Sequence, residues 1–170
     1  MKPVEVIGVR VEAPGNQPVV LVRELDGARV LPIWVGAAEA AAIAYVQQDV
    51  TPPRPLTHDL FVTVIGTLGH GLDEIRITSL DDGVYRAEIV FDGATIIDAR
   101  PSDAIALALR VGCPVLAEEA LFDEVGMVLP GDADEGTEDE VEAFKEFLDS
   151  VSADDFDAPG EGGDGPSTEA

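Results

Sequence analysis

Apolar and polar positions alternate near the start of the chain, where Val4, Val6, Val9 and Val11 are interleaved with Glu5, Arg10 and Glu12. A period of two belongs to a half-buried strand, and the break in phase at Gly8 predicts an irregularity in it. Ala13-Pro14-Gly15-Asn16 reads as a turn, and residues 18–25 read as a second strand. Asp26-Gly27 then predicts a tight hairpin into a third strand over residues 29–35, because Asp and Gly accept the positive φ of two-residue turns. The period changes at residues 36–48. That stretch is rich in alanine and poor in β-branched residues, which predicts a helix able to lie close to a sheet. Thr51-Pro52-Pro53-Arg54-Pro55 cannot be helical and makes a stiff connector.

Thr57 is a good N-cap for a second helix, whose Leu60, Phe61, Val64, Ile65 and Leu68 form a stripe expected to face the core. Gly69-His70-Gly71 ends it. Residues 72–80, 84–91 and 94–99 read as three more strands, separated by the hairpin turns Asp82-Gly83 and Asp92-Gly93. A third helix follows over residues 101–111, with Pro101 at its first position, where no amide donor is needed. Residues 114–117 form a short strand, and 118–124 a last helical turn or two. Leu25-Asp26-Gly27-Ala28, strand, alanine-rich helix is echoed by Phe91-Asp92-Gly93-Ala94, strand, alanine-rich helix. Either an internal duplication or recurrent hairpin chemistry accounts for the echo. The fold class expected is α+β, with helices packed on a mixed or antiparallel sheet.

The last forty residues change character. Residues 131–170 hold fifteen acids against a single lysine, Lys145, and carry more than half of the formal charge of −24. The pattern predicts one domain over residues 1–130 and an acidic extension over 131–170. Thr137 and Glu140 form a capping box, and Val141, Phe144, Phe147, Leu148 and Val151 make an apolar stripe. An amphipathic helix over 138–151 is therefore expected, fit to dock on the core, a second subunit or a partner's groove. The Gly-, Asp- and Pro-rich end beyond it reads as disordered.

Ten basic residues against thirty-four acidic ones argue against tight nonspecific binding to nucleic acid, which rests on Lys and Arg contacts to phosphate. A basic patch from Arg54, Arg76, Arg86, Arg100 and Arg110 would stand in an opposing field. Cys113 is the single cysteine and lies among apolar residues, so a disulfide framework and a cysteine zinc cluster are excluded. No stretch reads as a signal peptide or membrane span, and the expected location is the cytoplasm.

Dinucleotide, phosphate-loop and histidine–glutamate metal motifs are missing. What remains are polar residues at helix starts: Glu39, then Thr57-His58-Asp59, then Asp98-Ala99-Arg100-Pro101-Ser102-Asp103. Each has a plain reading as a cap or a first-turn charge favoured by the helix dipole. If the helix starts converge, Glu39, Asp59, Asp98 and Asp103 form an oxygen-rich set. Within it Glu39, Asp98 and Asp103 are the expected ligands of Mg²⁺ or Mn²⁺. His58 would move protons and Arg100 would bind phosphate through its planar fork.

Three stretches carry a family resemblance: Leu31-Pro32-Ile33-Trp34-Val35-Gly36 with Glu39-Ala40; Pro53-Arg54-Pro55-Leu56-Thr57-His58-Asp59-Leu60; and Ile97 through Ala108. With them the chain resembles the bifunctional nuclease family, bacterial and plant proteins assigned activity on DNA and RNA. The resemblance implies an α+β fold, a homodimer and a nuclease. It matches Glu39, His58, Asp59, Asp98, Arg100, Ser102 and Asp103 as polar positions of the family pattern, and the expectation that His58, Asp59, Asp98, Arg100 and Ser102 are catalytic rests on their chemistry. The first functional expectation is metal-assisted hydrolysis of nucleic acid phosphodiesters, with weak substrate binding. The alternative is a noncatalytic regulatory or scaffold protein that binds a protein partner through the tail helix.

Overall fold

The structure, a computed structural model, describes residues 1–12 and 15–129. The expected tail helix over 138–151 lies outside the described residues. One mixed sheet of eight strands organises the domain: β1 (Lys2–Glu12), β2 (Gln17–Glu24), β3 (Arg29–Trp34), β4 (Leu72–Asp81), β5 (Val84–Phe91), β6 (Thr95–Ala99), β7 (Val115–Ala117) and β8 (Met127–Val128). Their order across the sheet is β6-β5-β4-β7-β1-β2-β3-β8. All neighbours are antiparallel except β4 and β7. Among the described residues four helices accompany them: α1 (Ala37–Gln47), α2 (Thr57–Thr67), α3 (Pro101–Val111) and α4 (Glu119–Val125). The domain is α+β, as the pattern predicts.

Local chemistry explains the elements. Register slips between Val6 and Gly8 in the β1–β2 pair, the irregularity expected at Gly8. Asp82 and Gly83 join β4 to β5 with φ of 51° and 80°, and Asp92 and Gly93 turn the chain toward β6 with φ of 49° and 71°. Positive φ at both positions matches the right-handed twist of a hairpin. The β2–β3 connection differs from the expected two-residue turn and takes residues 25–28. Helix α3 opens on Pro101 and closes on Gly112 in the left-handed conformation, φ 72°.

The two halves repeat an order of elements: β1-β2-β3-α1 and β4-β5-β6 followed by α3. β7 joins the two three-stranded meanders at the centre of the sheet. Helices α1 and α3 pack against each other through small side chains, with Ala40, Ala42 and Ala44 buried on α1 and Ala104, Ala106 and Ala108 buried on α3. One core joins these helices to Val20, Val22, Leu31, Ile33, Ile75, Ile77 and Ile89 of the sheet.

Helix α2 departs from expectation. Its stripe was expected to face a core, yet no residue of α2 is buried. Val62 and Ile65 pack partly against the core, while Leu60, Phe61, Val64 and Leu68 are exposed. The cap also differs: Leu56 holds the N-cap position, and the Asp59 carboxylate accepts the Leu56 N–H at 2.8 Å. Thr57 is the first helical residue.

Candidate functional site

Three helix starts meet around one guanidinium. Arg100 is the N-cap residue of α3, at the end of β6. Its Nε donates to Asp103 Oδ2 at 2.7 Å and its Nη2 to Asp103 Oδ1 at 3.0 Å. The same Nη2 pairs with Glu39 Oε1, from the first turn of α1, at 2.9 Å. His58, from the first turn of α2, reaches Asp103 Oδ1 through Nε2 at 3.3 Å. So Glu39, His58, Arg100 and Asp103 form one connected cluster. Glu39 bends back over its own helix start, and a Cβ on Gly36 would collide with its carboxylate.

Exposure separates the roles these groups can take. The Arg100 side chain is 65% exposed, against 19% for Glu39 and 16% for His58. No hydrogen bond from Arg100 Nη1 is seen among the described residues, and the side chain as a whole is largely exposed. A carboxylate only accepts hydrogen bonds, so the proton between His58 and Asp103 belongs to Nε2. Nδ1 is then the basic nitrogen of the neutral ring. Burial alone would push the Asp103 carboxyl up. Hydrogen bonds from Arg100 and His58 outweigh it and hold the carboxyl below its ordinary range.

The remaining candidates stand apart from this cluster. Asp59 is held by Arg110, whose Nε donates to Oδ1 at 2.5 Å. Arg110 also donates through Nη1 to the carbonyls of Ala42 and Ala106, at 3.0 and 2.9 Å. Asp59 thus fastens α2 to α3. Ser102, in the first turn of α3, is buried, 7% exposed. Asp98 is exposed on β6, opposite Glu88 of β5. The sequence singled out Asp98 by its closeness to Arg100 along the chain, but no hydrogen bond or ion pair joins it to the cluster. Of the arginines considered for a basic patch, Arg76, Arg86, Arg100 and Arg110 are each paired with a carboxylate, and Arg54 alone has no ion pair among the described residues. Arg110 is the functional neighbour the sequence reading undervalued; its signal is a basic residue in the last turn of α3.

The expected metal set is not assembled. Glu39 and Asp103 both turn to the Arg100 guanidinium, which neutralises the charge a cation would need, and Asp98 does not join them. Among the described residues no group of three or more His, Cys, Asp or Glu side chains is placed to hold a metal ion. Oxygen ligands must converge within about 2.0–2.6 Å of such an ion. Among the described residues the donors do not fit Mg²⁺ or Mn²⁺.

The α+β domain thus gathers a histidine, an arginine and two carboxylates at the starts of three helices. Residues 19–130 match the bifunctional nuclease domain, and the chain belongs to that family. Two relatives from Mycobacterium tuberculosis, Uncharacterized protein MT1877 (strain CDC 1551 / Oshkosh) and Uncharacterized protein Rv1829 (strain ATCC 25618 / H37Rv), are each 55% identical over 163 residues, spanning 93% of this chain and 99% of their own. Among the described residues no helix is long and apolar enough to cross a membrane.

Proposed function

We propose that this protein cleaves phosphodiester bonds of DNA or RNA at the Glu39–Arg100–Asp103–His58 cluster. The observation that carries the reading is the shared Asp103 carboxylate, which ties a proton-moving imidazole to a solvent-facing guanidinium. In this reading Arg100 Nη1 binds a non-bridging phosphate oxygen and stabilises the charge that builds on it. His58 Nδ1 takes a proton from the attacking water as its oxygen bonds to phosphorus, and the imidazolium returns that proton to the sugar oxygen that leaves as its P–O bond breaks. Asp103 fixes the imidazole tautomer, and Glu39 holds the fork in place. Substrate binding is weak, because the surrounding charge is negative. Family membership supports nucleic acid as the substrate class.

The test uses the purified full chain on single- and double-stranded DNA and RNA, with EDTA or with added Mg²⁺ or Mn²⁺. Cleavage is expected to persist in EDTA. His58→Ala and Arg100→Gln should each lower it about a hundredfold or more, while Asp98→Asn leaves it unchanged. Loss in Asp98→Asn, or none in His58→Ala, would place the chemistry elsewhere. Abolition by EDTA would overturn the metal-independent form of the proposal. A noncatalytic reading is favoured by one observation, the exposed apolar face of α2; there the cluster only fastens helices, and no substrate is cut under any of these conditions.

A further inference from the structure

The Arg100 cluster is short of positive charge for a group that binds an anion. Its ion pairs set one guanidinium, Arg100, between two carboxylates, Glu39 and Asp103. With His58 in the form that can accept a proton, the four groups carry a net negative charge. The rest of the chain adds to it, since thirty-four acids stand against ten bases. A phosphate brought to Arg100 therefore meets a field of its own sign. A second cation near the cluster is needed to hold it there.

Few cations are available to serve. Among the described residues every arginine except Arg10 and Arg54 holds a carboxylate, and so does Lys2. Arg10 lies on β1 opposite Val19, which belongs to a small apolar cluster that no helix joins. Arg54 is exposed, in the connector that delivers the chain to α2. It stands four residues before His58, so the two Cα atoms lie within about 14 Å of each other. The final step is helical, which shortens the span. Successive phosphates of a strand rise by about 3.4 Å, so three or four nucleotides cover it. Pro53 and Pro55 flank Arg54. Proline fixes its own φ and keeps the residue before it out of the helical region. The backbone that carries this guanidinium is thus set before any ligand arrives, which lowers the ordering cost of binding.

We propose that Arg54 is the second phosphate-binding residue of this site. It holds a neighbouring phosphate of the same nucleic acid strand, while Arg100 holds the one beside His58. The ligand is thereby defined as an oligonucleotide strand of about three or four residues or more, rather than a mononucleotide or a lone phosphate. The assignment rests on the reading of the cluster as a nucleic acid site. It gives Arg54 a task in binding and none in proton transfer. The unpaired state of Arg54 then has a physical reason. An arginine already held by a carboxylate must give up that pair to take a phosphate, and Arg54 has none to give up.

Fluorescence anisotropy on the full chain tests it, with labelled oligouridylates and oligothymidylates from a single nucleotide up to strands well beyond four. Where the wild type cuts the probe, His58→Ala carries the comparison. Affinity should rise from one nucleotide to about four. Arg54→Gln should remove that rise, weakening the longer strands about tenfold or more and leaving the mononucleotide unaffected. The slope of log affinity against log salt should become shallower by about 0.7, the value of one phosphate contact on a single strand. Arg54→Lys keeps the charge and should keep most of the affinity. Arg86→Gln removes an equal charge from an exposed arginine of β5 and should change neither quantity. In cleavage, Arg54→Gln should raise KM and leave kcat unchanged. Unaltered affinity and salt slope in Arg54→Gln would overturn the inference, and so would an equal loss in Arg86→Gln, which reports only the general field; the catalytic reading survives either result. Binding that depends on Arg54 with no cleavage under any condition supports the inference and overturns the catalytic reading instead. If no strand binds and none is cut, both fall.

Discussion

Arg110 shows how much one side chain does in this domain. It lies in the last turn of α3, its side chain is 7% exposed, and it binds the Asp59 carboxylate and two helix carbonyls. Removing it would leave Asp59 without a counter-charge at a partly buried place and two carbonyls short of a donor. Breaking a buried pair in this way costs about 3–5 kcal/mol, and the 30% exposure of Asp59 lets water recover part of that. Arg110→Ala should therefore lower unfolding stability by about 2–3 kcal/mol in urea titrations. Arg110→Lys should recover some of it, because one ammonium cannot reach all three acceptors. A loss below about 0.5 kcal/mol in Arg110→Ala would show that α2 is held by its apolar contacts alone. Cys113, two residues beyond the helix, needs no such account: burial pushes its thiol up to about 11, and it stays protonated at neutral pH.

At the scale of elements, α3 is the most completely specified. Pro101 starts it without a missing amide bond, and Gly112 ends it at φ 72°, donating its N–H to Ala108 O at 2.8 Å. Nothing lies within 4 Å of a Cβ built on Gly112, so Gly112→Ala should cost only the left-handed strain, about 1 kcal/mol in thermal or urea unfolding. A larger loss would mean that the loop to β7 rearranges. These signals are local, and so helix α3 was readable in the sequence. So were the Asp-Gly turns and the bulge at Gly8, each a matter of backbone chemistry within a few residues. The site was readable in part. Glu39, His58, Arg100 and Asp103 announced themselves as polar groups at helix starts, and those starts converge. Asp98 did not belong, because closeness along a strand does not aim a side chain at the neighbouring helix. The α2 stripe gave the helix correctly but not its covering, since periodicity records an apolar face and not what lies against it. Thr57 looked like a cap because hydroxyls favour that position, yet Leu56 holds the N-cap and its own N–H is satisfied by Asp59 reaching back. β8, two residues long, is too short for any period to reveal.

At the scale of the whole molecule, the acidic charge and the ion pairs act in opposite senses as pH falls. Between neutrality and the carboxylate range, protonation of exposed acids relieves the self-repulsion of a chain at −24. Three anchoring carboxylates behave differently. Glu24, 5% exposed, is held below its ordinary range by hydrogen bonds from Arg29 and Lys2. For Asp59 and Asp103, burial works to raise the carboxyl, but arginine partners and, for Asp59, the Leu56 amide outweigh it and keep the value low. A group whose folded pKa is depressed contributes stability that is fully present above its unfolded pKa and disappears as pH falls through the folded one. The unfolded values lie near 4. The melting temperature should therefore hold steady or rise slightly from pH 7 to about 5, then fall steeply below about 4. These three groups tie β1 and β2 to β3, and α2 to α3, so their protonation should release both halves in a single transition. Asp103→Asn removes one of them and should flatten the acid limb while lowering the plateau at neutral pH. Thermal unfolding followed by circular dichroism from pH 3 to 8 reads both effects. A wild-type melting temperature that continues to rise below pH 4 would mean that charge repulsion, and not the paired carboxylates, sets the stability of this domain in acid.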